Sequence, residues 1–210
     1  ETGPASVLAQ IVFAVLAAPG AGMPEKSLVA GSKNKWYDDL QGRDCMKEAQ
    51  YQKMTAFCRK TKTRQKITAG ITKYLPDLLA AAYPAAIVVL LVQGPPWIRL
   101  LKFILVPLAA LILVTVLRHV FHAPRPYDQM NYYPLISHKP GNSFPSRHTA
   151  SSVIIAMAFW YVCQPLGITA AALAVLVGIS RVVAGLHYPR DVLAGAAVSL
   201  VVGGLGFWVV

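Results

Sequence analysis

The chain has 210 residues, of which 55% are hydrophobic and only 14% charged, and it carries a formal net charge of +11. A soluble domain has about 25% charged residues, and here only Asp128 and Asp191 are acidic after Asp77, so an ordinary soluble globular enzyme is excluded and a bilayer protein expected. The basic residues share the chain with long apolar runs and no aromatic platform, which argues against nucleic acid and for anionic headgroups or substrates.

In chain order, residues 5–22 form a short apolar segment without the positive flank of a signal peptide. It reads as a first membrane span, an uncleaved anchor, or a non-native leader ahead of a start at Met23. Residues 23–74 are polar and hold twelve Lys and Arg. Within them, Met46, Tyr51, Met54, Phe57, Ile67 and Ile71 recur at loosely helical spacing. That spacing predicts an amphipathic helix on the membrane surface, or a solvated helix leading into the bilayer. Apolar segments follow at about 75–93, 100–117, 148–164, 166–181 and 191–210. Pro84 is tolerable inside the first if neighbours satisfy the released carbonyl. Gly94-Pro95-Pro96 and Gln164-Pro165 mark the breaks.

Two regions are expected: residues 1–74, an apolar segment plus a basic interfacial helix, and residues 75–210, a membrane-embedded domain. Cys45, Cys58 and Cys163 have neither metal-ligand spacing nor an even count. Cys163 lies in an apolar run and is expected to be buried, and a Cys45–Cys58 bridge stays open. Trp36, Trp97 and Trp208 are candidate interface anchors.

The polar residues inside this apolar sequence cluster at the ends of its spans. Arg118 and Arg125 are seven residues apart, about two helical turns, and could share a face until Pro124 ends the helix. Gly141-Asn-Ser-Phe-Pro-Ser-Arg-His148 opens the third apolar segment. Ser180-Arg181 closes the fourth, and His187-Tyr-Pro-Arg-Asp191 leads into the fifth. Because successive spans alternate in direction, all three clusters emerge on one membrane face.

Guanidinium groups bind phosphate oxygens by paired, charge-assisted hydrogen bonds and neutralise the equatorial charge of a phosphoryl-transfer transition state. One histidine can attack phosphorus while another protonates the departing oxygen. Asp191, four residues after His187, is near enough to hold its imidazole. No carboxylate cluster is available for Mg²⁺ or Ca²⁺, so a route without metal is expected. Taken singly, each arginine reads as a snorkelling interface residue; the three clusters in order do not.

The patterns Arg118-x6-Arg125-Pro126, Pro145-Ser146-Arg147-His148 and Ser180-Arg181-x5-His187-x3-Asp191 resemble the motifs of the type 2 phosphatidic acid phosphatase superfamily. That superfamily includes bacterial phosphatidylglycerophosphatases and undecaprenyl-diphosphate phosphatases and shares its motif logic with vanadate haloperoxidases. The likeness covers about residues 75–210. It implies an all-α, polytopic membrane bundle of five or six spans, and hydrolysis of a lipid phosphate or diphosphate with no cofactor and no metal. His187 would be the nucleophile, Asp191 its orienting partner and His148 the general acid. Arg118, Arg125, Ser146, Arg147 and Arg181 would bind the phosphate, with main-chain N–H groups near 146–148 at a helix start.

Two residues depart from the family's pattern. Arg118 stands where the motif has lysine, and Arg147 where it has glycine. His119, His122 and His138 match no motif, and Tyr127, Asn142 and Tyr188 are candidates for supporting contacts. The implied substrate is undecaprenyl diphosphate first, then phosphatidylglycerophosphate or phosphatidic acid. The alternatives are a lipid phosphotransferase using the same phosphohistidine, or a lipid-phosphate binder or transporter without catalysis. The resemblance implies a multi-pass protein of a bacterial plasma membrane with an extracytoplasmic site. The basic 23–74 segment, by the positive-inside rule, favours the cytoplasmic side.

Overall fold

The computed structural model describes residues 48–129, 134–136 and 142–209. The segment 5–22, Trp36, Cys45, on which the open Cys45–Cys58 pairing depends, and His138 lie outside the described residues. The described residues are helical, with no strand among them. α1 is Glu48–Arg59, α2 Lys62–Gln93, α3 Trp97–Phe121, and α4 the single turn Pro126–Gln129. α5 is Arg147–Val162, α6 Gln164–Val183 and α7 Pro189–Gly204, the last continuing as a π-helical turn over Leu205–Val209.

The five apolar segments are all helices. Among the described residues four helical stretches are long and apolar enough to cross a membrane: Lys62–Gln93, Trp97–Asp128, Gln164–Val183 and Pro189–Val209. Of the expected five or six spans, four are met by length among the described residues. The fifth helix, α5, has 16 residues, about 24 Å at the α-helical rise, against a hydrocarbon core of about 30 Å.

Its shortness goes with a central position. α5 packs against α2, α3, α6 and α7, and Ile154, Ile155, Ala158 and Phe159 on it are buried. Around it the other helices turn Val92, Ile112, Leu193 and Leu200 outward, as lipid-facing surfaces do. Aromatic contacts tie the layers together. Tyr83 on α2 stacks on Phe103 of α3 at 5.2 Å and donates its phenol to the Phe103 carbonyl at 2.6 Å. Phe103 in turn lies 6.4 Å from Phe159. Trp97 and Trp208 are exposed at the helix ends away from Arg118 and Asp191, suited to an interface there.

Several local expectations change. α2 begins at Lys62 rather than near 75 and runs unbroken through Pro76 and Pro84. The amphipathic stretch is two helices, α1 and the start of α2, parted at residues 60–61. Met54, Phe57, Ile67 and Ile71 on them are exposed, but Tyr51 is fully buried. α3 ends at Phe121, where His122 takes a left-handed conformation (φ 44°). The backbone before Pro124 is disfavoured in the α region, so the helix stops early and Arg125 shares no helical face with Arg118. Cys163 is exposed, not buried. It is the one residue between α5 and α6, extended at φ −152°.

Candidate active site

The three motif clusters meet through main-chain carbonyls. Arg118, in the last turn of α3, donates from Nη1 to the carbonyls of Ser143 (3.3 Å) and Pro145 (2.9 Å), and from Nη2 to that of Asn142. Asn142 returns an amide bond to the Arg118 carbonyl at 2.7 Å. The second cluster is joined to the third by the Ser146 N–H, which donates to the Asp191 carbonyl at 2.9 Å. Gly195 makes that approach possible: a Cβ there would lie 2.5 Å from the Ser146 oxygen.

The turn between α6 and α7 carries the buried histidine. Val182 accepts from the Gly185 N–H (3.0 Å), and Arg181 accepts from the N–H groups of Leu186 (3.1 Å) and His187 (3.3 Å). Gly185 has φ 86°, a left-handed conformation that a side chain would strain. His187 and Asp191 emerge from this turn at 1% and 0% exposure.

Asp191 Oδ2 accepts the Tyr188 N–H at 3.0 Å and the hydroxyl of Ser143, and lies 3.5 Å from His187 Nδ1. Ser143 Oγ is the nearer neighbour of that nitrogen, at 3.3 Å. A serine hydroxyl has one proton. With that proton on Asp191, its oxygen can only accept from His187, so Nδ1 carries hydrogen and Nε2 keeps the lone pair. Ser143 is thus the intermediary between histidine and carboxylate. Sequence reading singled out its neighbour Asn142 and passed over it. Its place two residues before the Pro-Ser-Arg-His run was the available signal.

Burial holds the His187 pKa below its ordinary 6.5, against the opposing influence of Asp191, while Arg125 and Arg118 lower it further. Arg125 is 5% exposed and an electrostatic neighbour of Arg118, Arg181 and His187. Its guanidinium lies 5.8 Å from the Tyr127 ring centre. Arg181 is also 5% exposed, and its buried Nε makes no hydrogen bond among the described residues. Two buried guanidinium groups within electrostatic reach of each other suit an anion.

The remaining expected residues are less direct. Ser146 caps α5: its Oγ lies 3.0 Å from Thr149 Oγ1 and accepts the Thr149 N–H at 3.5 Å. With its own N–H on Asp191, Ser146 already has protein partners, and the first-turn amides left for an anion are those of Arg147 and His148. Arg147 is exposed and near enough to Arg118 to repel it. His148 is half-buried in the same turn. His119 and His122 are exposed. Among the described residues no three His, Cys, Asp or Glu side chains gather as a metal site.

A model of the PAP2 superfamily matches residues 99–210, more than half of the chain. The chain belongs to the PAP2 superfamily. It is 33% identical over 100 residues to the undecaprenyl-diphosphatase BcrC of Bacillus subtilis, covering 48% of this chain and 52% of that protein. It is 42% identical over 77 residues to a lipid A 1-phosphatase of Porphyromonas gingivalis, covering 32% of this chain and 16% of the relative. The chain thus spans about half, or less, of the length of these curated relatives. In three dimensions it is similar to a transmembrane PAP2-type phosphatidylglycerolphosphate phosphatase from Bacillus subtilis. The TM-score is 0.62 at 24% identity, over 82% of this chain and 90% of that one. The superfamily expected from the three motifs is the one found, and the fold is that of its membrane phosphatases.

The buried, neutral His187 has a consequence for stability. An unfolded histidine takes up a proton near pH 6.5 and the folded one only below that, so the unfolded state binds more protons in this window. Thermal unfolding in detergent should shift to lower temperature as pH falls through 6.5 and level off below the folded pKa. His187→Asn should flatten that slope.

Proposed function

We propose that the protein is an integral-membrane lipid phosphatase acting through a phosphohistidine on His187, with undecaprenyl diphosphate as the first candidate substrate. The observation that carries this is the buried pair Arg125 and Arg181 beside the His187–Ser143–Asp191 chain. It sets two buried guanidinium groups beside an imidazole whose Nδ1 faces Ser143 and Asp191, which leaves Nε2 to attack.

In this reading Arg125, Arg181, the remaining N–H donors of Arg118 and the first amides of α5 hold the phosphoryl oxygens. Arg118 has five N–H groups, and three bonds to loop carbonyls leave others for substrate. The Nε2 lone pair forms the N–P bond with the terminal phosphorus while the bond from that phosphorus to the leaving oxygen breaks, the bridging oxygen of a diphosphate or the ester oxygen of a monophosphate. His148 gives that oxygen its proton. Water then attacks phosphorus, His148 takes the water's proton, the N–P bond breaks, and phosphate leaves. Ser143 and Asp191 stabilise the hydrogen on Nδ1 throughout. Arg147, at the rim, adds positive charge where a second phosphate would sit, which favours a diphosphate.

A lipid substrate is supported by an apolar groove of about 600 Å³ between α5, α6 and α7. It begins at Thr149, the residue bonded to Ser146, and passes Val153, Ala174, Gly178 and Leu193. A hydrocarbon tail in it keeps contact with the bilayer while the head reaches the arginines. The relative named undecaprenyl-diphosphatase supports the first choice of lipid; phosphatidylglycerophosphate and phosphatidic acid follow. The described basic residues of α1 and early α2 lie at the site's end of the bundle, which favours a cytoplasmic site, against the extracytoplasmic site implied by the family resemblance. Thiol labelling of Lys60→Cys, with the native cysteines replaced, in intact cells separates the two.

Phosphate release from the three lipids by detergent-purified protein in EDTA tests the reading. His187→Ala should lower turnover by about 10³-fold or more, and Ser143→Ala by roughly tenfold. Vanadate should inhibit. A chelator-sensitive rate, or an active His187→Ala variant, would overturn the mechanism. Gly178→Leu fills the groove beside Val192 and Thr149. It should raise KM for the lipids while sparing hydrolysis of a water-soluble aryl phosphate; equal losses on both would show that the groove takes no tail.

A further inference from the structure

We infer that Tyr51, on α1, is a positioning residue for His187, which makes a helix outside the family-matched segment a working part of the site. The inference rests on His187 being the nucleophile.

Tyr51 is fully buried. Its phenol lies between two carbonyls, Val182 at 3.2 Å and His187 at 3.1 Å, across 131 and 136 residues of sequence. Those carbonyls mark the two ends of the turn between α6 and α7. The ring packs at 5.7 Å against Tyr188, the residue whose N–H holds Asp191. One turn along α1, the Thr55 hydroxyl returns to the Tyr51 and Gln52 carbonyls, while the phenol links this helix to the turn. A parallel contact comes from α2, where the Thr72 hydroxyl, 2.7 Å from the Thr68 carbonyl, also lies 3.3 Å from that of Ser180.

The turn requires such a link. Its internal bonds converge on the carbonyls of Arg181 and Val182, and Gly185 adds a flexible point in the middle. None of them reaches the His187 carbonyl. The phenol therefore restrains the peptide that directs the imidazole. Rotation there would swing Nε2 away from the arginines while the rest of the bundle kept its packing. Attack on phosphorus tolerates little such error, because a displacement of about 1 Å can cost roughly a hundredfold in rate.

Tyr51→Phe removes one oxygen and leaves the ring on Tyr188, so folding is not at stake. Tyr83→Phe is the control: it deletes a similar phenol-to-carbonyl bond, to Phe103, away from the site. Both would be compared with wild type on whichever of undecaprenyl diphosphate, phosphatidylglycerophosphate and phosphatidic acid is turned over fastest. Direct vanadate binding and thermal unfolding would be measured alongside. Tyr51→Phe should lower kcat about tenfold or more with KM little changed, slow phosphoenzyme formation in rapid quench, and weaken vanadate binding about tenfold. Tyr83→Phe should lower thermal stability alone. Wild-type kcat and vanadate affinity in Tyr51→Phe would overturn the inference and leave Tyr51 a structural brace. Turnover retained by His187→Ala would instead overturn the nucleophile assignment, and the inference with it.

Discussion

A carboxylate taken wholly out of water needs donors, and the site is organised around meeting that need at one oxygen of Asp191, while the other lies 3.7 Å from Arg190 Nε. The first oxygen accepts from the Tyr188 backbone and from the Ser143 hydroxyl, with the His187 ring beside it. Its own main-chain carbonyl accepts the Ser146 N–H. One residue therefore fixes the start of α7, the loop before α5 and the orientation of the histidine. Hydrogen bonds to an ionised carboxylate are among the stronger ones, and losing any donor would leave charge uncompensated in a low-dielectric place.

The short central helix has the complementary role. α5 contributes the residues against which the other helices pack, and its first turn lies under the site. Its N-terminal end is fixed because Ser146 caps the helix and is itself anchored to the Asp191 carbonyl. Rigid packing below and a fixed cap above give the anion-binding end little freedom, the preorganisation that electrostatic stabilisation of a transition state requires. The flanking helices meet this core with small residues and aromatic stacks and turn long aliphatic side chains outward.

What was legible in the sequence follows from what chemistry demands of residue type. Phosphate requires arginines, nucleophilic transfer requires a supported imidazole, and hydrocarbon forbids both elsewhere, so Arg118, Arg125, Arg181, His148, His187 and Asp191 stood out. Helical alternation then brought their clusters to one end. Contacts between distant positions were not legible. Nothing local distinguishes Ser143 from Asn142, or marks Tyr51 as buried while Met54 and Phe57 on the same helix are exposed. Ser146 was expected to bind phosphate, and its hydroxyl also follows the ordinary preference of serine for a helix cap. Arg118 and Arg125 were expected to share a face until Pro124 ends the helix, but the helix already ends at Phe121.

The arginine at 118 has a bearing on how this chain can vary. Its planar fork reaches the carbonyls of Asn142, Ser143 and Pro145, and its own carbonyl is held by Asn142 in return. A lysine, which the motif has at this position, offers one compact ammonium that cannot span carbonyls set along four residues. Position 118 and the loop 142–145 are therefore one heritable unit: exchanging the side chain without refitting the loop would unfasten the peptide carrying Ser143, and with it the tautomer of a histidine more than forty positions away.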